Sequence, residues 1–210
     1  MSQIIIKEHI EAGEQAAIIA VNLSVTDAEE ADKLAFNVIT TALTLAHEAI
    51  PTALAVYDCE RVVVTTAVTD PRETLKQTLL LVKDISAVEF VHRFLQPPDI
   101  TKLRRNMTLL KQVTSQSGQL LLSMLDFEYQ AMEEAAKKHP ATLALSRATK
   151  HMPSPAIIVL VSQLNHDAEA LLVTSEKLSK RGFTPISIEV AKSNLQRTFS
   201  RQALEKETIL

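Results

Sequence analysis

The sequence predicts an α/β three-layer sandwich with a mostly parallel sheet, and three observations lead there. Two continuous apolar runs, Ala16 to Val21 (AAIIAV) and Ala156 to Val161 (AIIVLV), have the length and composition of strands covered on both faces. Each runs straight into a small polar cluster, Asn22 to Asp27 (NLSVTD) and Ser162 to Asp167 (SQLNHD), and a helical pattern follows each cluster. Strands that alternate with helices pair in parallel, because a parallel neighbour needs a helical crossover rather than a tight turn. Ligands of such sheets bind in the crevice outside the carboxyl ends of the strands, so the two polar clusters mark one candidate site.

The elements follow in order. Ile4 to Ile6 reads as a short strand, and Glu11 to Glu14 as a turn leading into the Ala16 strand. A helix starts near Asp27, where Thr26 and Glu29 have capping-box spacing. Its apolar positions Ala28, Ala31, Ala35, Val38, Ala42, Leu45 and Ala49 recur at three and four residues, and Pro51 ends it. Thr52 to Tyr57 and Arg61 to Val68 are rich in β-branched residues, and the short turn between them predicts an antiparallel pair. Asp70 as cap and Pro71 at the first helical position start a helix running to about Lys83.

From Ser86 to Lys150 the strand signal disappears, and residues 86–150 read as a helical insertion within a single domain of residues 1–210. It holds the breaker Pro97-Pro98, a helix from about Ile100 to Val113, and a longer one from Gly118 to Lys138 that ends at Pro140. Leu121, Leu125, Met132 and Ala135 form its expected apolar stripe, a core or docking face. Beyond the Ala156 strand come an Asp167-led helix stopped at Gly182, the strand Thr184 to Val190 and a final amphipathic segment.

Composition excludes several classes of function. Charged residues make up 22% of the chain and the formal net charge is −3, so bulk electrostatics ask for neither nucleic acid nor an anionic membrane. The basic residues Lys102, Arg104, Arg105 and Lys111 lack aromatic interleaving and read as a solvated helix face. The lone Cys59 excludes an internal disulfide and fits a reducing, cytoplasmic setting; its neighbours Asp58 and Glu60 disfavour the thiolate. The amino terminus lacks the apolar core of a signal peptide, and no apolar stretch approaches the ~20 residues needed to span a bilayer. Glycine stands only at 13, 118 and 182, which excludes a glycine-rich phosphate loop and a dinucleotide fingerprint, so no cofactor is expected. The six histidines show no metal-binding spacing. His166-Asp167 near Ser162 invites a nucleophile triad, but adjacent residues at a helix start rarely aim at one nucleophile, and Asp167 is expected to cap the helix.

The turn Asn22-Leu23-Ser24-Val25-Thr26 at a strand end resembles the Asp-x-Ser-x-Ser motif of von Willebrand factor A domains. The segment from Val159 to Val190, with Leu-Val-Ser-Gln after the strand and Leu-Ser-Lys-Arg-Gly-Phe before the next, is similar to the carboxyl-terminal part of domain-of-unknown-function family 58. Ile4 to His9 and Ala53 to Asp58 also resemble stretches of that family. The resemblance implies a von Willebrand factor A-like, Rossmann-like fold and partnership with a MoxR-type AAA+ ATPase. It also implies a metal-ion-dependent adhesion site at Asn22, Ser24, Thr26, Ser162 and Gln163. Here the chain departs from the pattern: Asn22 and Gln163 stand where the family carries aspartates, and no Gly-Gly-Thr loop precedes a helix. Magnesium favours carboxylate oxygens, so the site is expected to be degenerate and to hold no metal. The family's upstream Trp-containing region is missing, since the chain has no Trp; an isolated carboxyl-terminal domain or a trimmed relative is expected.

The expectation is therefore a non-catalytic protein-interaction adaptor without a membrane or nucleic-acid contact. The alternative is an enzyme or small-ligand-binding protein using the crevice at the strand ends, where Asp27, Asn165 and Asp167 join the hydroxyls of Ser24, Thr26 and Ser162.

Overall fold

A computed structural model describes residues 16–87, 100–162 and 167–188. The expected strand at Ile4 to Ile6, the end of the last strand at Val190, the final amphipathic segment, and site residues Gln163 and Asn165 lie outside these residues.

The architecture is an α/β sandwich around a five-stranded sheet. Its strands are β1 (Ala17–Asn22), β3 (Thr52–Tyr57), β4 (Val62–Thr65), β6 (Ala156–Val161) and β7 (Phe183–Ile188), in the order β4-β3-β1-β6-β7. All neighbours are parallel except the β3–β4 hairpin. In that hairpin the Asp58 Oδ1 accepts from the Glu60 and Arg61 N–H groups, both at 2.7 Å, which folds Asp58-Cys59-Glu60 into a turn. Two-residue strands β2 (Ser24–Val25) and β5 (Ser86–Ala87) pair separately.

Helix α1 (Ala28–His47) and helix α2 (Pro71–Leu81) lie on one face of the sheet. Helices α5 (Pro140–Ala148) and α6 (Ala168–Ser179) cover the other, and α3 (Ile100–Leu110) with α4 (Gln116–Lys138) packs beside α6. The chain moves from β1 to β3 in one direction and from β6 to β7 in the other. Crossovers of one hand then put α1 and α6 on opposite faces.

The strand residues sort by the two-residue period. Ala17, Ile19 and Val21 meet Leu34, Val38 and Leu45 of α1, whereas Ile18, Ala20, Ala53, Ala55, Ile158 and Leu160 face α5 and α6. Of the expected α1 face Val38, Ala42 and Leu45 are buried; Leu34 and Thr41 join them, while Ala28 and Ala49 at the two ends are exposed. Asp27 is its N-cap and accepts from Glu30 N–H at 2.9 Å. Glu30, not Glu29, reaches back to Thr26, one position later than the expected capping box. Asp70 and Pro71 start α2 as expected.

Residues 86–150 are not uniformly peripheral to the sandwich. Pro140 ends α4 but also opens α5, with His139 Nδ1 accepting from Ala141 N–H at 3.2 Å as its cap. Ala141, Ala144, Leu145 and Ala148, at i, i+3, i+4 and i+7, are all buried against the sheet. On α4 the inward residues are Gly118, Tyr129, Met132 and Ala136, so the expected stripe is rotated: Leu121 and Ala135 face outward. Of the expected solvated face Lys102, Arg105 and Lys111 are exposed, but Arg104 of α3 is half-buried. It donates to the Tyr129 hydroxyl through Nη2 (2.7 Å) and Nε (3.1 Å) and to the Glu176 carboxylate, while Lys177 pairs with Glu133 at 2.8 Å. These contacts brace the α3–α4 pair on α6. Among the described residues no helix is long and apolar enough to cross a membrane.

Two helix ends need the left-handed conformation. Gly182 supplies it after α6 with φ +87°, but Ala49 does so after α1 with φ +54°, where Ile50 N–H bonds back to Leu45 O at 2.9 Å. Ala49→Gly should therefore stabilise the protein by about 1 kcal/mol in urea melts, the left-handed penalty of a Cβ outweighing the extra backbone entropy. On the other face, the interface of α5 with the sheet is made largely of alanine side chains. Ala144→Leu should overpack it and lower stability by about 1–3 kcal/mol in the same assay.

Candidate functional site

The sheet order reverses direction at β1, so β1 and β6 flank the topological switch point where open α/β sheets bind ligands. Register aligns the ends: Asn22 stands opposite Tyr57, and Val21 opposite Val161, so Ser162 follows at the same level. Asn22, Tyr57 and Ser162 continue the phase of Ile18, Ala55 and Leu160, the face covered by α5 and α6. A register shift in the β3–β4 pairing between Val56 and Tyr57 marks a bulge at the same level.

Asp167 starts α6 directly above these three residues. It occupies the N-cap position, but its side chain makes no capping bond, contrary to expectation. The carboxylate instead turns into the sheet, where its Oδ2 accepts from the Tyr57 hydroxyl (2.7 Å), the Ser162 hydroxyl (2.8 Å) and the Asn22 amide (2.9 Å). All four residues are buried. Three charge-assisted bonds plus the positive end of the α6 dipole outweigh the single capping bond that an exposed aspartate would make. The other oxygen, Oδ1, is buried with no hydrogen-bond partner among the described residues.

The orientation of the Asn22 amide is set by its surroundings. Ser24 N–H donates to Asn22 Oδ1 at 3.1 Å, so the oxygen faces the loop and the NH2 group faces Ser162 Oγ (3.2 Å) and Asp167 Oδ2. Ser24 in turn accepts from Cys59 N–H through its hydroxyl at 3.0 Å, tying the turn after β1 to the β3–β4 hairpin. Of the expected site residues, Asn22, Ser24, Ser162 and Asp167 therefore meet in one network. Thr26 and Asp27 belong to the start of α1, and Asp27 is exposed.

The capping role expected of Asp167 gives way to this network, which puts a buried carboxylate at the strand ends. Tyr57 was not a candidate in the sequence; its hydroxyl-to-carboxylate bond spans 110 residues, and nothing local signals it.

The residues do not fit a divalent cation. A magnesium ion needs six oxygen ligands near 2.0–2.1 Å. Here an amide NH2 presents hydrogen atoms to the hydroxyl and carboxylate oxygens that a cation would use. Among the described residues no group of three or more His, Cys, Asp or Glu side chains could hold a metal.

Burial pushes the Tyr57 phenol well above its ordinary value, reinforced by the Asp167 charge and by the bond to Asp167. A phenol with a raised folded pKa adds stability that is complete below its unfolded value near 10 and is lost as pH rises through the folded pKa. Tyr57→Phe leaves the network short of one donor and should cost about 1–3 kcal/mol at pH 8. The stability difference between wild type and variant should shrink as pH rises above about 10. Urea melts of both proteins across that range check it, and a pH-independent difference would contradict the assignment.

Comparison with family models, with curated proteins and with solved structures finds no match for this chain.

Proposed function

We propose that the chain is a von Willebrand factor A-like, non-catalytic adaptor whose adhesion-type site is closed by its own side chains. The observation that carries this reading is the Asn22 amide. Held by Ser24 N–H, it donates to Ser162 and Asp167 and so occupies with N–H groups the position where a cation would draw on those oxygens. The sheet order and the turn after β1 are consistent with the resemblance of Asn22 to Thr26 and of Val159 to Val190 to that family. Exposed apolar side chains on α4 favour an interaction role: Leu120, Met124 and Phe127, at i, i+4 and i+7, are 65%, 62% and 76% exposed. The partner that the resemblance implies is a MoxR-type AAA+ ATPase.

Calorimetric titration tests the closed site. Wild type should take up neither magnesium nor manganese, whereas Asn22→Asp with Gln163→Asp should bind manganese. At 4 Å and an effective dielectric of 20 a pair of unit charges is worth roughly 4 kcal/mol, and a carboxylate beside a divalent cation about twice that, before desolvation. Micromolar binding by wild type sinks the reading. For the partner, co-elution with a purified MoxR-type ATPase should be lost in Leu120→Ser/Met124→Ser/Phe127→Ser at an unchanged melting temperature.

A second reading, a small-ligand-binding protein or enzyme using the crevice, is favoured by one observation. Asp167 Oδ1 is buried at the switch point with no partner among the described residues, and a ligand donor would satisfy it. Saturable binding in a metabolite screen that Asp167→Asn abolishes would favour this reading over the adaptor.

A further inference from the structure

We propose that a second site, at the outgoing end of β4, binds a phosphate group. A cleft of about 150 Å³ lies between the outgoing end of β4 and the carboxyl end of α5, lined by Thr65, Thr66, Ala67, Val68, Arg147, Ala148 and His151. That is room for a small oxyanion, given ~30 Å³ for a water molecule in the liquid.

The lining brings together a guanidinium, an imidazole and two threonine hydroxyls. No acidic side chain contributes to it. Arg147 and His151, four residues apart, form one wall, and neither has a carboxylate partner among the described residues. On the other wall the Thr66 hydroxyl accepts from Leu54 N–H at 2.8 Å, which leaves its own hydrogen to donate. The Ala67 and Val68 N–H groups have no acceptor among the described residues. The negative end of α5 opposes an anion, an effect reduced where its carbonyls are engaged: Thr149 takes Leu145 O through both N–H and hydroxyl, and Lys150 N–H takes Arg147 O.

Guanidinium, imidazole, two hydroxyls and two backbone amides offer more donors than the roughly four acceptor sites of a carboxylate can use. The tetrahedral array of phosphate oxygens suits them better, with Arg147 able to engage two oxygens at once. The site is independent of the crevice at Asp167 and of the adaptor reading.

The test is a titration of the isotopically labelled full chain, followed by amide NMR, with three probes: inorganic phosphate, ribose 5-phosphate and acetate. Both phosphates should shift the Ala67 and Val68 amides saturably, and Arg147→Gln should weaken that binding roughly tenfold with an unchanged thermal melt. Thr65→Val should weaken it by a smaller factor. Tighter binding of ribose 5-phosphate than of inorganic phosphate assigns the site to a phosphorylated small molecule, and equal binding assigns it to the free ion. Unmoved Ala67 and Val68 amides, an Arg147→Gln variant that binds as wild type does, or acetate binding as tightly as phosphate would overturn the proposal.

Discussion

The structure turns on the burial of its parallel strands on both faces. Such strands have nowhere to put a polar side chain except at their ends, and a polar group placed there still loses water. Asn22, Tyr57 and Ser162 end three adjacent strands in the same phase, so their polar atoms converge whether or not they serve a ligand. Something must accept from all three. Asp167, delivered by the first residue of the helix that covers that face, is the acceptor. The helix that seals the core thus also seals the site, and the bracing of α6 by Arg104 and Lys177 holds that lid in register with the strand ends.

Much of this was legible in the sequence because it depends on local patterning. The apolar runs at 52–57 and 156–161 are strands as read, and the Asp70-Pro71 start of α2 holds as well. The first core strand extends one residue further than its apolar run, because Asn22 pairs with Tyr57 across the ladder even though its side chain is polar. Helix α5 was hidden because Pro140 carries two meanings at once, the stop of one helix and the first turn of the next. Only the spacing of Ala141, Ala144, Leu145 and Ala148 separates them.

The site was legible in its position and not in its wiring. Strand ends and switch points follow from topology, so Asn22, Ser24, Ser162 and Asp167 could be named in advance. Rules for helix starts, however, are local, and they assign Asp167 to its own backbone. Donors 110 to 145 residues away in the chain decide otherwise. Tyr57 carries no local mark at all, since a tyrosine closing a strand is an ordinary core residue until a buried carboxylate stands beside its hydroxyl.

The two faces of the sheet differ in how they can drift. Beneath α1 the contacts are built from leucine, isoleucine and valine, which can be exchanged for larger or smaller neighbours with compensation across the interface. Beneath α5, around Leu145, they are built largely from Ala20, Ala53, Ala55, Ala141, Ala144 and Ala148, which have little volume to give up. Almost every substitution at these alanines adds atoms, and the facing alanines of the strands have no matching loss to offer. That face therefore changes mainly by moving the helix bodily, while the other can exchange side chains one pair at a time.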